Sequence, residues 1–144
     1  MFVRDFIEIL QPFEAVAPRL VRNAAWLDPI ACDALEEAVA TLGALYPDQA
    51  VQLGIPLSVR CERGPVRLRA DTLVMPLRWE TNLPAFLHPS VDGDLEVLPL
   101  GAARSQIALN ANTCTNPGDD DAVTRRVAET GVRAFLRQLA ANLG

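Results

Sequence analysis

The chain predicts an α+β domain in which a curved antiparallel sheet wraps one long C-terminal helix, with two short helices after the first strand. Three observations carry this reading. From Gln52 onward, and again between Leu95 and Asn112, apolar and polar residues alternate with period two, as half-buried strands do. From Val127 to Leu139 the period becomes that of a helix with one apolar face. The strands are gathered ahead of the closing helix rather than alternating with helices, which favours a helix laid on an antiparallel sheet over repeated βαβ units.

The first element, Phe2 to Leu10, is a strand by its β-branched and aromatic content, with Val3, Ile7 and Ile9 on one face and Phe2 and Phe6 on the other. Pro12 can open a helix, but Pro18 lacks an N–H for a mid-helix bond, so Phe13 to Arg22 is expected to be kinked or broken. A clearer helix starts at Asp28-Pro29, where Asp caps and Pro suits the first position, and runs to about Leu45. Its stripe is Ala31, Leu35, Ala38, Val39 and Leu42, opposite a solvated Asp33, Glu36 and Glu37.

Three strands then register by side-chain parity. A two-residue hairpin at Arg63-Gly64 sets Cys61 opposite Val66, Val59 opposite Leu68 and Leu57 opposite Ala70. A turn at Asp71-Thr72 sets Ala70 opposite Leu73, Leu68 opposite Met75 and Val66 opposite Leu77, with Trp79 continuing that face. Val74, Pro76, Arg78 and Glu80 form the outer row, and a bulge is expected at Pro76, which has no ladder donor. This register leaves Arg60 opposite Arg67, a like-charge pair it does not explain. Gly101-Ala102-Ala103 closes the next pair, aligning Val97 with Ile107 and Leu95 with Leu109. After Pro117-Gly118, the run Asp119, Asp120 and Asp121 places negative charge at a helix start. That helix runs to about Leu143, with Val127, Ala128, Gly131, Val132, Phe135 and Leu139 as its stripe and Glu129 paired to Arg133 at i,i+4.

Composition narrows the function classes. A chain of 144 residues can bury its own core as one domain, 1–144, without staples. The net charge of -5 opposes nucleic-acid binding. All basic residues are Arg, so there is no Lys for a Schiff base, and the single His88 limits imidazole catalysis or zinc binding. Cys32, Cys61 and Cys114 are odd in number, far apart and without a Cys-x-x-Cys motif, which reads as reduced thiols in a cytoplasmic protein. No basic leader with an apolar run and no membrane span is read. The Arg-without-Lys, Ala- and Leu-rich usage is associated with a GC-rich bacterial genome.

Four stretches then resemble a bacterial branch of the START-like (SRPBCC) superfamily, the helix-grip fold: Leu73-Val-Met-Pro-Leu-Arg-Trp-Glu80, Val91-Asp-Gly-Asp-Leu95, Pro99-Leu-Gly101 and Val127-Ala-Glu-Thr-Gly-Val-Arg-Ala-Phe135. The resemblance covers about residues 51–144 and rests on structural turns and core strands. It implies an apolar pocket between sheet and C-terminal helix, as in polyketide cyclases and lipid-transfer domains.

The inner row of Val59, Leu68, Met75, Leu77 and Trp79 is therefore the candidate ligand-binding wall. Ile107, Leu109, Phe135 and Leu139 complete it, and the small Ala70, Ala111 and Gly131 leave room. Nearly every member is apolar, which suits a lipid, isoprenoid or aromatic guest; the same row also reads as an ordinary packed core. In that case the function lies in protein interaction or homodimerisation through an exposed strand or helix face. A cyclase-like enzyme needs polar groups inside the pocket, and beyond Ser105, Thr113 and His88 there are almost none. His88 reads as a general acid or base at a pocket mouth or as a solvated loop histidine. Cys61 and Cys32 read as buried small hydrophobes, Cys114 as the one candidate reactive thiol, and the three Asp as a helix cap rather than a cation site. No catalytic residue, metal or cofactor is assigned.

Overall fold

The computed structural model describes residues 2–22, 24–45, 58–82, 91–113 and 122–144. Strand β1 (Phe2–Ile9) is followed by helix α1 (Phe13–Val21), a 3-10 turn at Ala24–Trp26 and helix α2 (Leu27–Leu45). Strands β2 (Val59–Arg63), β3 (Arg67–Arg69), β4 (Thr72–Thr81), β5 (Val91–Pro99) and β6 (Ser105–Thr113) lead to helix α3 (Ala122–Leu143). The sheet order is β1-β6-β5-β4-β2, with β3 also on β4, and all pairs are antiparallel. Helix α3 packs along α2 and over β1, while α2 reaches β2. The covering layer is thus a helix pair, where periodicity alone points to α3. Its second neighbour explains why the buried face of α3 is wider than its predicted stripe, taking in Ala134, Leu136 and Leu143 as well.

The β5–β6 hairpin has the predicted register, Leu95 opposite Leu109 and Val97 opposite Ile107. Gly101, at φ 75°, supplies the left-handed residue of its loop. The β2–β3 hairpin does not form. Both segments run along the same edge of β4, with Arg63 opposite Leu77 and Arg67 opposite Val74. The chain between them has one residue more than the facing stretch of β4, which is a bulge. It lies opposite Pro76, whose carbonyl accepts from the Gly64 N–H at 2.9 Å. A Cβ on Gly64 would stand 3.0 Å from the Pro76 Cβ. The second turn falls at Ala70-Asp71, with Ala70 at φ 55°, so Leu68 faces Leu73 rather than Met75. The like-charge pair vanishes in this register: Arg60 stands opposite Glu80 and Arg67 opposite Val74.

Smaller departures have local causes. Helix α1 runs through Pro18 unbroken, with buried Val16 and Leu20 anchoring the helix on either side of the missing bond. Helix α2 begins one residue before Asp28, fed by the 3-10 turn, and the Asp28 carboxylate instead accepts the Cys61 N–H at 2.7 Å. That contact covers the free edge of β2. Val74 and Ala108 lie on the outer row yet are buried. Val74 is flanked in register by Arg67 and Glu96, whose stems can shield it. Glu129 pairs with Arg125, and Arg133 reaches across to Asp5 at 3.1 Å. Glu37 meets Arg137 rather than solvent alone, though both remain substantially exposed and such a pair adds little stability. At the far end, the Arg19 guanidinium donates to the carbonyls of Asn142 and Leu143, tying α1 to the C-terminal turn of α3. No helix among the described residues is long and apolar enough to cross a membrane.

Candidate functional site

Antiparallel register sorts the concave face into rows of side chains that share a side of the sheet. One row runs Cys61, Trp79, Val91 and Thr113 across β2, β4, β5 and β6. All four are buried. The next row runs Arg63, Leu77, Gly93, Ala111 and Val3, and is low at its centre, where Gly93 and Ala111 carry little or no side chain. A third holds Met75, Leu95 and Leu109 and ends at Asp5 on β1, which Arg133 pairs. From above, α3 sends Phe135 onto Trp79, with ring centroids 4.7 Å apart at 63°, an edge-to-face contact. This ring pair fastens the helix to the sheet beside the small-residue row.

Trp79 is 1% exposed, and its indole N–H has no acceptor among the described residues. Burying such a donor unpaired costs about 1–3 kcal/mol. Among the described residues it is the buried side-chain donor of these rows without a hydrogen-bond partner. Thr113, also buried on the wall, is not without a partner, and buried Ser105 donates to the Gln11 carbonyl at 2.8 Å.

The titratable neighbour of the ring pair is Cys61. Burial pushes its thiol up to about 12, aided by the Asp28 charge and by a hydrogen bond to that carboxylate. Burial likewise raises Cys32, reinforced by the charges of Glu36 and Asp33. Cys61 therefore stays protonated near neutral pH and offers no thiolate nucleophile. Among the described residues no three metal-ligating side chains gather. His88, Cys114 and Asp119 to Asp121 lie outside the described residues. The described arrangement offers a largely apolar wall, two aromatic rings and one donor without a partner among the described residues.

Eight of the nine predicted wall residues are buried in the core: Val59, Met75, Leu77, Trp79, Ile107, Leu109, Phe135 and Leu139. Leu68 is not. It is 68% exposed, because the bulge and the earlier turn carry it to the short edge strand opposite Leu73. Ala70, predicted to leave room inside, sits in that exposed turn, whereas Ala111 and Gly131 are buried. Gly93 is the small residue that parity reading passes over, and the Val91-Asp-Gly-Asp-Leu95 motif signals it only as a turn. Two clefts of about 230 Å³ lie elsewhere. One is formed by Arg19, Arg22, Trp26, Asn142 and Leu143, the other by the β1 edge and the Arg133 and Arg137 side of α3.

No family profile and no curated protein matches the sequence. A solved structure does. The hypothetical protein jhp0584 from Helicobacter pylori superposes with a TM-score of 0.52, over 100% of this chain and 88% of that one, at 14% identity. The fold is a helix-grip, an antiparallel sheet closed by a long C-terminal helix. The ZhuI aromatase/cyclase from Streptomyces sp. R1128 superposes with a TM-score of 0.44, over 99% and 93% of the two chains, at 15% identity. In helix-grip terms, the Trp79–Phe135 contact is where the gripping helix meets the concave sheet.

Proposed function

We propose that the protein binds a small apolar molecule, a lipid, isoprenoid or aromatic compound, between the concave face of the sheet and α3. The guest lies beside the Trp79–Phe135 pair, above the low row of Gly93 and Ala111, and Met75, Leu77 and Leu109 extend the contact. The observation that carries the reading is the buried Trp79 indole N–H, a donor with no acceptor among the described residues. A guest with one acceptor oxygen satisfies it, so the ligand is apolar but not a pure hydrocarbon. Hydrogen bonding orients such a guest while buried apolar area supplies most of the affinity.

The test is displacement of a bound naphthalene dye by a long-chain ketone, an apolar molecule with a single acceptor oxygen. The expected result is saturable displacement at one molecule per chain, weakened about tenfold by Trp79→Phe, which keeps the ring and removes the donor. Displacement that does not saturate, or that is equally strong in both proteins, contradicts the proposal.

A further inference from the structure

Among the described residues the exposed large apolar side chains are Phe2 (57%), Phe6 (58%), Leu10 (81%) and Leu68. Three of the four belong to β1 or the residue just after it. Strand β1 ends the sheet, and no described strand pairs with its outer edge. Exposed apolar residues on an open edge are the feature that most proteins avoid.

The order of residues on that strand is self-complementary. Along the outer face it reads Phe2, Arg4, Phe6, Glu8, Leu10. Antiparallel pairing with a second copy about a two-fold axis at Phe6 sets Phe6 against Phe6, Arg4 against Glu8 and Phe2 against Leu10, each pair occurring symmetrically. Shifting the axis to Arg4 or Glu8 opposes like charges. Shifting it to Asp5 or Ile7 sets each charge against an apolar side chain. On the outer face only the Phe6 axis matches both charge and apolarity; on the inner face it pairs Val3 with Ile9 and sets Asp5, which Arg133 holds, opposite Ile7.

The backbone faces the right way for this pairing. The Phe6 N–H donates to the carboxylate of its own neighbour Asp5 at 2.9 Å rather than to β6, so this residue turns its donor to the free edge. Two such residues facing each other exchange two N–H to C=O bonds. Asp5 then releases the N–H but keeps Arg133, which holds its other oxygen at 3.1 Å. Arg4 has no ion-pair partner among the described residues. Glu8 has only an exposed one, Arg104 at 3.8 Å, which contributes little.

We infer that the protein forms a two-fold dimer by antiparallel pairing of β1 from two copies about Phe6, joining two six-stranded sheets into one. The inference stands on the open edge and its residue order, independently of any ligand. Its test is sedentary in design: the mass of the full chain is followed by light scattering across a dilution series, with circular dichroism confirming that each variant is folded. The wild type is expected at twice the chain mass at high concentration. Arg4→Glu is expected to weaken the dimer about tenfold, since it turns both symmetric attractions into repulsions, and Arg4→Glu with Glu8→Arg to restore it. A wild-type mass of one chain throughout overturns the inference and leaves the edge to an extended segment of another protein. A dimer indifferent to Arg4→Glu, or not restored by the double exchange, overturns it as well.

Discussion

Cys61 shows how the environment of one residue decides its chemistry. Its position on an apolar face is legible from alternation, and burial follows. The role of Asp28 is not legible, because the Asp-Pro pair carries the signature of a helix cap, while the carboxylate turns to an edge strand more than thirty residues away. The consequence is measurable as pH dependence. A thiol that holds its proton more tightly folded than unfolded gives stability that is full below the unfolded value. That stability falls as pH rises from about 8.5, the unfolded thiol's range, until the folded value near 12 is passed. The chain has no Lys and one Tyr, so few other side chains titrate in this window. Urea unfolding is expected to show a loss of about 2 kcal/mol from Cys61 by pH about 10. Cys61→Ala should remove that share of the slope, leaving the part of Cys32, which shifts in the same direction. Asp28→Asn should reduce the slope without abolishing it, because burial is the largest cause. A slope unchanged by Cys61→Ala contradicts this account.

At the scale of elements, local turn chemistry decided how much could be read. Gly101 marks a loop, and the register on both sides of it follows from parity. Arg63-Gly64 resembles a turn equally well, but Gly64 is there to let the edge strand bulge against Pro76, a contact between strands that neighbouring residues do not encode. The turn at Ala70-Asp71 is hidden for a related reason: Ala rarely takes a left-handed conformation, so nothing in the residue type announces φ 55°. These two shifts together misplace Leu68. Gly93 is the element-scale position with the sharpest consequence. A Cβ there would lie 2.1 Å from the Asn110 carbonyl oxygen and 2.8 Å from the Ala111 Cα, both backbone atoms of β6. Gly93→Ala must push β5 away from β6, and is expected to cost at least about 2 kcal/mol. The check is a lower urea midpoint at unchanged slope; a midpoint equal to that of the wild type contradicts the close approach.

At the scale of the molecule, the architecture was legible because each amphipathic face needs one cover, and the strands and last helix supply faces of matching length. The eight buried wall residues follow from that same parity. The partnership of α2 with α3 was not legible, since an apolar stripe does not say whether it meets a sheet or a helix. Nor does residue type reveal that the Trp79 N–H has no acceptor among the described residues, which depends on how the surrounding backbone and side chains are turned. The central claim, that this wall holds an apolar guest with an acceptor oxygen, is tested most directly by native mass spectrometry of freshly purified protein, followed by solvent extraction and identification of what is released. The account predicts a stoichiometric adduct of a few hundred daltons, apolar and oxygen-bearing, diminished in Trp79→Phe. A clean mass of the bare chain, monomer or dimer, before and after incubation with the long-chain ketone would contradict it.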